Sequence, residues 1–427
     1  VVNMSTAYKI IEELCRLSRQ FASPDYDIAI DKLREELQFK VHVYNESHEH
    51  NGWVIPPKYE VKKALIKKGA NIIYDGLAHP LGVPCHAAAF TGTVDRDTLK
   101  KHLWYDHRFP DALPYHFRYS YRPWERDWGF CVTRDFYESL TEGLYEVQLE
   151  VSDGEKELKV LEYCLSGSSG VDFAFIAHLD HPGMANDDLA GCAVATELFQ
   201  RLASKNLRHT YRLLLVQEII GSEMHLHAHP ELRTLQEGLF LEMLGVDVPL
   251  VLQRANSTPT AMESAMRACL QERRVRFEEV AFRESAKNDE IVFESYGVPT
   301  AALTRYPYAE YHSSRDNLSI ISRKSLDEAV ELLESVVAWH EDDLYVEKCF
   351  TGVACFSNPD IDLYVDPGQP ALDGLEEGVS MHRFMEQISL LSKRHSVKVL
   401  ASLCGVRFQE ARAYLERCQK KGLVQLY

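Results

Sequence analysis

The feature that most constrains this chain is a series of short apolar runs that each lead into a side chain able to bind a metal. Val171-Asp172-Phe173-Ala174-Phe175-Ile176-Ala177 runs into His178, with Asp187 in the loop beyond. Arg212-Leu213-Leu214-Leu215-Val216 runs into Gln217 and Glu218, and Gly238-Leu239-Phe240-Leu241 ends in Glu242. Pro299-Thr300-Ala301-Ala302-Leu303 precedes the loop that holds Tyr311 and His312. Apolar runs of this length, bounded by turns, read as buried strands. Between them lie helical stretches such as Ala193-Val194-Ala195-Thr196-Glu197-Leu198, so the pattern predicts a sheet wrapped by helices on both faces. Ligands in an open α/β sheet gather beyond the carboxyl ends of the strands. One histidine alone would say little; His, Asp, Glu, Glu and His in this order predict a metal centre. Asp187, where a helix begins, is suited to bridging two cations, because each carboxylate oxygen can take one.

The chain has 427 residues, 45% hydrophobic and 26% charged, enough for two or three folded domains. No uninterrupted apolar run reaches the roughly 20 residues of a membrane helix, and no signal-peptide core is evident near the start. Val1 to Asn3 read as a cloning remnant before a natural Met4. The ten cysteines include no Cys-x-x-Cys pair, which favours reduced thiols and a cytoplasmic setting. A net charge of −17 argues against broad nucleic-acid binding.

Ser5 to Arg19 has helical spacing, and Ser23-Pro24 marks an N-cap before a second helix to Leu37. Phe39 to Tyr44 alternates like a strand of the main sheet. Residues 53–151 show short alternating runs between Gly and Pro turns, the pattern of an inserted all-β domain. Residues 1–52 and 152–348 then form one discontinuous α/β domain. The aromatic-rich stretch Trp104 to Phe130 reads as packing in the inserted domain, with a substrate wall as the sharper alternative. Residues 349–379 read as a linker, rich in Pro, Gly and acids around Pro359 to Gly378. Residues 380–427 hold nine Lys/Arg against three Asp/Glu and read as three helices and a strand. Gly405 at a helix-turn-helix corner, with Lys420-Lys421-Gly422-Leu423-Val424 after it, has the look of a winged helix. A packing or dimerising role is expected of it, making a homo-oligomer a candidate state, rather than DNA reading.

The motifs His178-Leu179-Asp180-His181-Pro182-Gly183-Met184-Ala185-Asn186-Asp187, Glu218-Ile219-Ile220-Gly221-Ser222, Asn288-Asp289-Glu290 and Glu310-Tyr311-His312-Ser313-Ser314-Arg315-Asp316-Asn317-Leu318 together resemble the di-zinc aminopeptidase superfamily. That superfamily includes leucyl aminopeptidases, glutamate carboxypeptidases and single-zinc glutaminyl cyclases. The closer likeness is to a bacterial branch of aminopeptidase-like proteins, often encoded with polysaccharide or natural-product biosynthesis genes, which has an inserted β domain and a winged-helix tail. Trp124-Glu125-Arg126-Asp127-Trp128-Gly129-Phe130-Cys131 is similar to part of that inserted domain. The resemblance implies a zinc-aminopeptidase-like α/β fold, a mixed sheet flanked by helices. It implies one zinc between His178, Asp187 and Glu242, and another between Asp187, Glu218 and His312. Asp180 would orient His178 through its second ring nitrogen.

Two departures from the superfamily bear on chemistry. Where its peptidases place a glutamate general base, this chain has Gln217, and an amide cannot deprotonate water at neutral pH. Glu242 stands where many members use Asp. Glu290 and His181 are therefore the candidate bases, with Asp289 and Glu223 behind them. Arg305, Tyr308, Tyr311 and Asp289 are the candidate substrate contacts, Arg305 for a carboxylate. The expected function is zinc-dependent hydrolysis of a small amide or peptide-like substrate with a free amine. A zinc-bound acyl-transfer or cyclisation catalyst, and a pseudoenzyme binding a protein or saccharide, are the alternatives.

Overall fold

The computed structural model of the protein describes residues 5–257, 259–367 and 376–427, with side chains in the last stretch from 380. The expected remnant at Val1 to Asn3 lies outside them. The first helix, Thr6–Leu14, ends earlier than its apolar spacing predicts, whereas Pro24–Glu36 starts as predicted, with the Ser23 hydroxyl accepting from the Tyr26 N–H.

An eight-stranded mixed sheet forms the centre, and the early strand Lys40–Tyr44 is its edge. From that edge the order continues Leu158–Leu165, Thr210–Val216, Asp172–His178, Glu237–Glu242, Thr300–Thr304, Leu250–Gln253 and Phe277–Val280. The four strands from Thr210–Val216 to Thr300–Thr304 are parallel. Their register sets Val216 beside His178 and Glu242 beside Thr304, so the carboxyl ends lie together. Successive residues of these strands face opposite layers. Phe175, Leu213 and Leu241 pack with the helices Leu189–Leu202 and Arg323–Glu341, while Ile176, Leu214 and Phe240 pack with Ile220–Ala228 and Glu290–Ser295. Each such side chain contributes about 1.5–3 kcal/mol on burial. Gly191 lets its helix sit against the sheet; a Cβ there would lie 2.4 Å from the Leu241 carbonyl oxygen.

A separate four-stranded antiparallel sheet has the order Asn71–Asp75, Pro57–Lys68, Leu144–Lys156, Phe90–Asp95. Its last strand runs past residue 151, and the segment is not all-β. Helices Arg96–Lys101, Arg118–Tyr121 and Arg134–Ser139 lie within it. Asp95 and Thr133 cap two of them, and helices this short show no full amphipathic repeat to read in sequence. Trp128 stacks between Phe90 and His102, as packing residues would.

The tail comprises helices Glu376–Leu390, Val397–Cys404 and Phe408–Lys420, with Gly405 left-handed at φ 71°. A three-stranded sheet joins it to the preceding chain: His395–Ser396, Tyr345–Lys348, Val424–Leu426. The described part of the expected linker is not free. Phe356 and Leu363 are buried with Phe384 and Leu415, and Tyr414 donates to the Leu363 carbonyl at 2.7 Å. Residues 368–375 of that linker lie outside the described residues. Among the described residues no helix is long and apolar enough to cross a membrane.

Candidate metal centre

His178, Asp187, Glu242 and His312 converge beyond the parallel strand ends. His178 Nε2 lies 3.7 Å from Asp187 Oδ1 and 3.5 Å from Glu242 Oε1, and His312 Nε2 lies 3.1 Å from Asp187 Oδ2. His178, Asp187 and Glu242 offer ligand atoms within 4.8 Å of one another, the first trio expected. The second trio differs. His181 stands between Asp187 and Glu218, with Nδ1 at 3.1 Å from Asp187 Oδ1 and Nε2 at 3.5 Å from Glu218 Oε2. The trios that close are therefore His181, Asp187, His312 and His178, His181, Glu218, not Asp187, Glu218, His312. His181, a candidate base because its motif adjoins a ligand segment, has its ring among the ligand residues.

The donor chemistry fits a borderline cation such as zinc, which takes imidazole and carboxylate together. Both His178 ring nitrogens, both Asp187 oxygens, His181 Nδ1 and Glu242 Oε2 are buried without a hydrogen-bond partner. Buried polar atoms are rarely left so. Burial, with His181 beside it, holds His178 down at about 3, leaving a neutral ring with a lone pair. Burial, with Asp187 and Asp188 nearby, pushes Glu242 well above the usual carboxylate range. A cation relieves that repulsion.

The loops that hold these ligands are fixed by buried acids. Asp316 accepts from the backbone N–H groups of Ala185, Asn186 and Asp187 at 3.0, 2.7 and 3.1 Å, clamping the Asp187 turn. Asp180 faces His178 Nδ1 at 3.8 Å, beyond hydrogen-bond length, and instead accepts from the Glu218 N–H at 2.8 Å. Ile219, β-branched, sits at φ 60°, and Met243 and His312 have φ 55° and 56°. Such positive φ values are costly and persist only where neighbours over-determine them. Asp289 does this for Ile219, accepting from its N–H at 2.9 Å and from the Ser222 hydroxyl at 2.6 Å. It is fully buried, so it supports the turn rather than meeting substrate.

Two other expected contacts and two expected bases are also corrected. The Arg305 guanidinium pairs with Glu328 at 2.5 Å and donates to the Val248 carbonyl, away from the cluster. Tyr308 donates to Asp316 at 2.5 Å, bracing the clamp. Glu290, an expected base, accepts from the Asn288 N–H at 2.9 Å and pairs with Arg283 at 3.3 Å, fully buried. Glu223 pairs with His50. Tyr311 does reach the cluster, stacked on His312 with ring centroids 3.8 Å apart. Gln217 is buried, and its Oε1 accepts from the Lys159 N–H at 2.8 Å.

Residues without a predicted role complete the site. Tyr121 donates to Glu218 Oε2, and Asn288 donates to Glu242 Oε1. Tyr115 packs against His181 and His312, with centroids 4.9 and 5.0 Å away, and Phe117 lies 5.4 Å from His312. The aromatic stretch thus divides, with Trp128 in the inserted sheet's core and Tyr115, Phe117 and Tyr121 over the ligands. Asn288 lies in a quoted motif, and Tyr115, Phe117 and Tyr121 fall in the aromatic stretch that admits a substrate wall, but nothing local singles them out within it. A cavity of about 800 Å³ is lined by Arg16, Asp25, Tyr59, Gly183, Ser314 and Asn317, and none of the six ligand side chains lines it.

The main sheet and its flanking helices have an aminopeptidase-like α/β fold. The chain belongs to the family described as a domain of unknown function, DUF4910, which matches residues 8–343. A relative from Clostridium acetobutylicum, described as a polysaccharide biosynthesis protein with an aminopeptidase-like domain, is 25% identical over 340 residues, 77% of this chain and 76% of its own. A crystal structure described as a peptidase from Clostridium acetobutylicum superposes with a TM-score of 0.76 at 21% identity, covering 99% of this chain and 96% of that one. The zinc aminopeptidase BSAP from Bacillus subtilis gives 0.59 at 13% identity, covering 78% of this chain and 93% of its own.

Proposed function

We propose that the protein is a zinc-dependent, aminopeptidase-like hydrolase acting on a small amide or peptide-like substrate, in a biosynthetic pathway. The observation that carries this reading is the ring of His178, His181, Asp187, Glu218, Glu242 and His312, in which both His178 nitrogens, His181 Nδ1, both Asp187 oxygens and Glu242 Oε2 lack partners. The described aminopeptidase-like domain and polysaccharide role of the Clostridium relative support the pathway setting. His178, Asp187 and Glu242 would hold one ion, and His312, Asp187 and His181 would hold or border a second. Zinc held there would supply a Lewis acid for the scissile carbonyl and would lower the pKa of a water toward about 7. Tyr115, Phe117 and Tyr311 form an apolar rim that excludes bulk water. Gln217 cannot accept a proton, so proton handling falls to His181 and the Glu218–Tyr121 pair.

Gln217 also favours a second reading, a zinc-bound acyl-transfer catalyst or a pseudoenzyme, in which no water is activated. Metal analysis of the purified protein with a panel of aminoacyl amides separates the two. Metal bound with turnover that vanishes in Asp187→Asn supports hydrolysis. Metal bound without turnover of any amide supports the second reading, and a chain that binds no zinc refutes both catalytic readings.

A further inference from the structure

A second group of imidazoles lies at the edge of the main sheet and shares no residue with the ring. His42 is on the edge strand Lys40–Tyr44, His225 is in the last turn of the helix Ile220–Ala228, and His229 follows that helix as its C-cap. Their ring centroids form a near-equilateral triangle: 4.7 Å from His42 to His225, 4.8 Å from His42 to His229, and 4.8 Å from His225 to His229. The three offer one ligand atom apiece within 4.8 Å of one another. His225 is fully buried, and its Nε2 has no hydrogen-bond partner.

Each ring also has one nitrogen held from outside the triangle. His225 Nδ1 shares a 2.6 Å hydrogen bond with the Tyr44 hydroxyl. His42 Nε2 meets Glu162 Oε2 at 2.8 Å, and Arg212 fixes Glu162 from the other side at 2.7 Å. His229 Nδ1 meets Glu231 Oε1 at 2.9 Å. An outer acceptor on one nitrogen fixes the tautomer and aims the lone pair of the other, as at metal-ligating histidines generally. The helix C-terminus, with its partial negative charge, lies at the same place.

We propose that His42, His225 and His229 form a second metal site that takes a borderline divalent ion, Zn²⁺ or Cu²⁺. An all-imidazole donor set disfavours Mg²⁺ and Ca²⁺, which need oxygen ligands. Packing of aromatic rings alone does not account for the triangle, because it leaves the buried His225 Nε2 unsatisfied. An ion there ties the edge strand to the helix that begins just after Glu218.

The test is zinc stoichiometry of the full chain after equilibrium dialysis, in wild type, His229→Ala, His42→Gln and Asp187→Asn. His229 and His42 variants should each lose one zinc per chain relative to wild type. Asp187→Asn should keep the zinc that they lose, which separates this site from the ring. Cu²⁺ added to Asp187→Asn protein should show imidazole nitrogen hyperfine structure by electron paramagnetic resonance, abolished on adding His229→Ala. Circular dichroism checks that each variant folds, and His42→Gln supplies the reading if His229→Ala does not. Unchanged zinc content in the folded variants, or a copper signal without nitrogen coupling, overturns the proposal.

Discussion

The two imidazole clusters of this protein differ chiefly in their acids. At the strand ends, histidines alternate with the buried carboxylates Asp187, Glu218 and Glu242, and further acids brace the loops behind them. At the sheet edge, three histidines face one another, and the carboxylates Glu162 and Glu231 touch only their outer nitrogens. The ring therefore concentrates negative charge that a cation relieves. Within the triangle, burial, with His42 and His229 beside it, holds His225 down at about 3. On the proposed reading, charge of this kind suits the ring to a catalytic ion, whereas an all-imidazole donor set suits a structural one.

The largest test of this contrast is Gln217→Glu. If the ring is a peptidase centre starved of a base, aminoacyl-amide turnover should rise by about 10²–10⁴-fold, the usual worth of a general base. An unchanged rate measured with saturating zinc would instead assign proton handling to other groups, and loss of turnover in His181→Gln with zinc content unchanged would identify one of them. Asp187→Asn should lower turnover by about 10²–10³-fold, the order seen when a key electrostatic group is lost. Its ring zinc should go while the triangle's stays; simultaneous loss of both would mean the clusters are not independent.

Tyr121→Phe should reduce kcat roughly 10-fold with little change in folding, since it removes one hydrogen bond to the Glu218 carboxylate. A kcat equal to wild type would make Tyr121 part of the packing only. The smallest effect concerns a buried acid with no imidazole beside it. Glu237 accepts from the N–H groups of Ala261 and Met262, and burial raises it to about 7. A carboxyl raised in the folded state contributes stability that is fully present below its unfolded value of about 4 and is lost as pH rises through about 7. Melting temperature should therefore fall a few degrees more between pH 5 and 8 in wild type than in Glu237→Gln. Equal slopes would show that Glu237 is ionised throughout.

Local chemistry made a good part of this protein legible. Apolar runs of strand length, an acid or histidine at each end, and a Ser-Pro helix start depend on near neighbours along the chain. These patterns accordingly place His178, Asp187, Glu218, Glu242 and His312 at one edge of the sheet. Side-chain direction was not legible in the same way. Arg305 and Asp289 sit beside the right motifs, yet one turns to Glu328 and the other to the backbone of Ile219.

What the sequence by itself determined is the sheet and its row of ligand-bearing strand ends, because strand periodicity and helix caps are properties of a few consecutive residues. Only the tertiary structure decided the rest. His181 enters the ligand ring because the turn that holds it folds back between Asp187 and Glu218. Tyr121 meets Glu218 across 97 residues of chain, from the segment that also builds the small sheet. His42 meets His225 only because the edge strand and a helix far along the chain pack against each other. Such meetings depend on how distant elements pack, and no local pattern of residues records them.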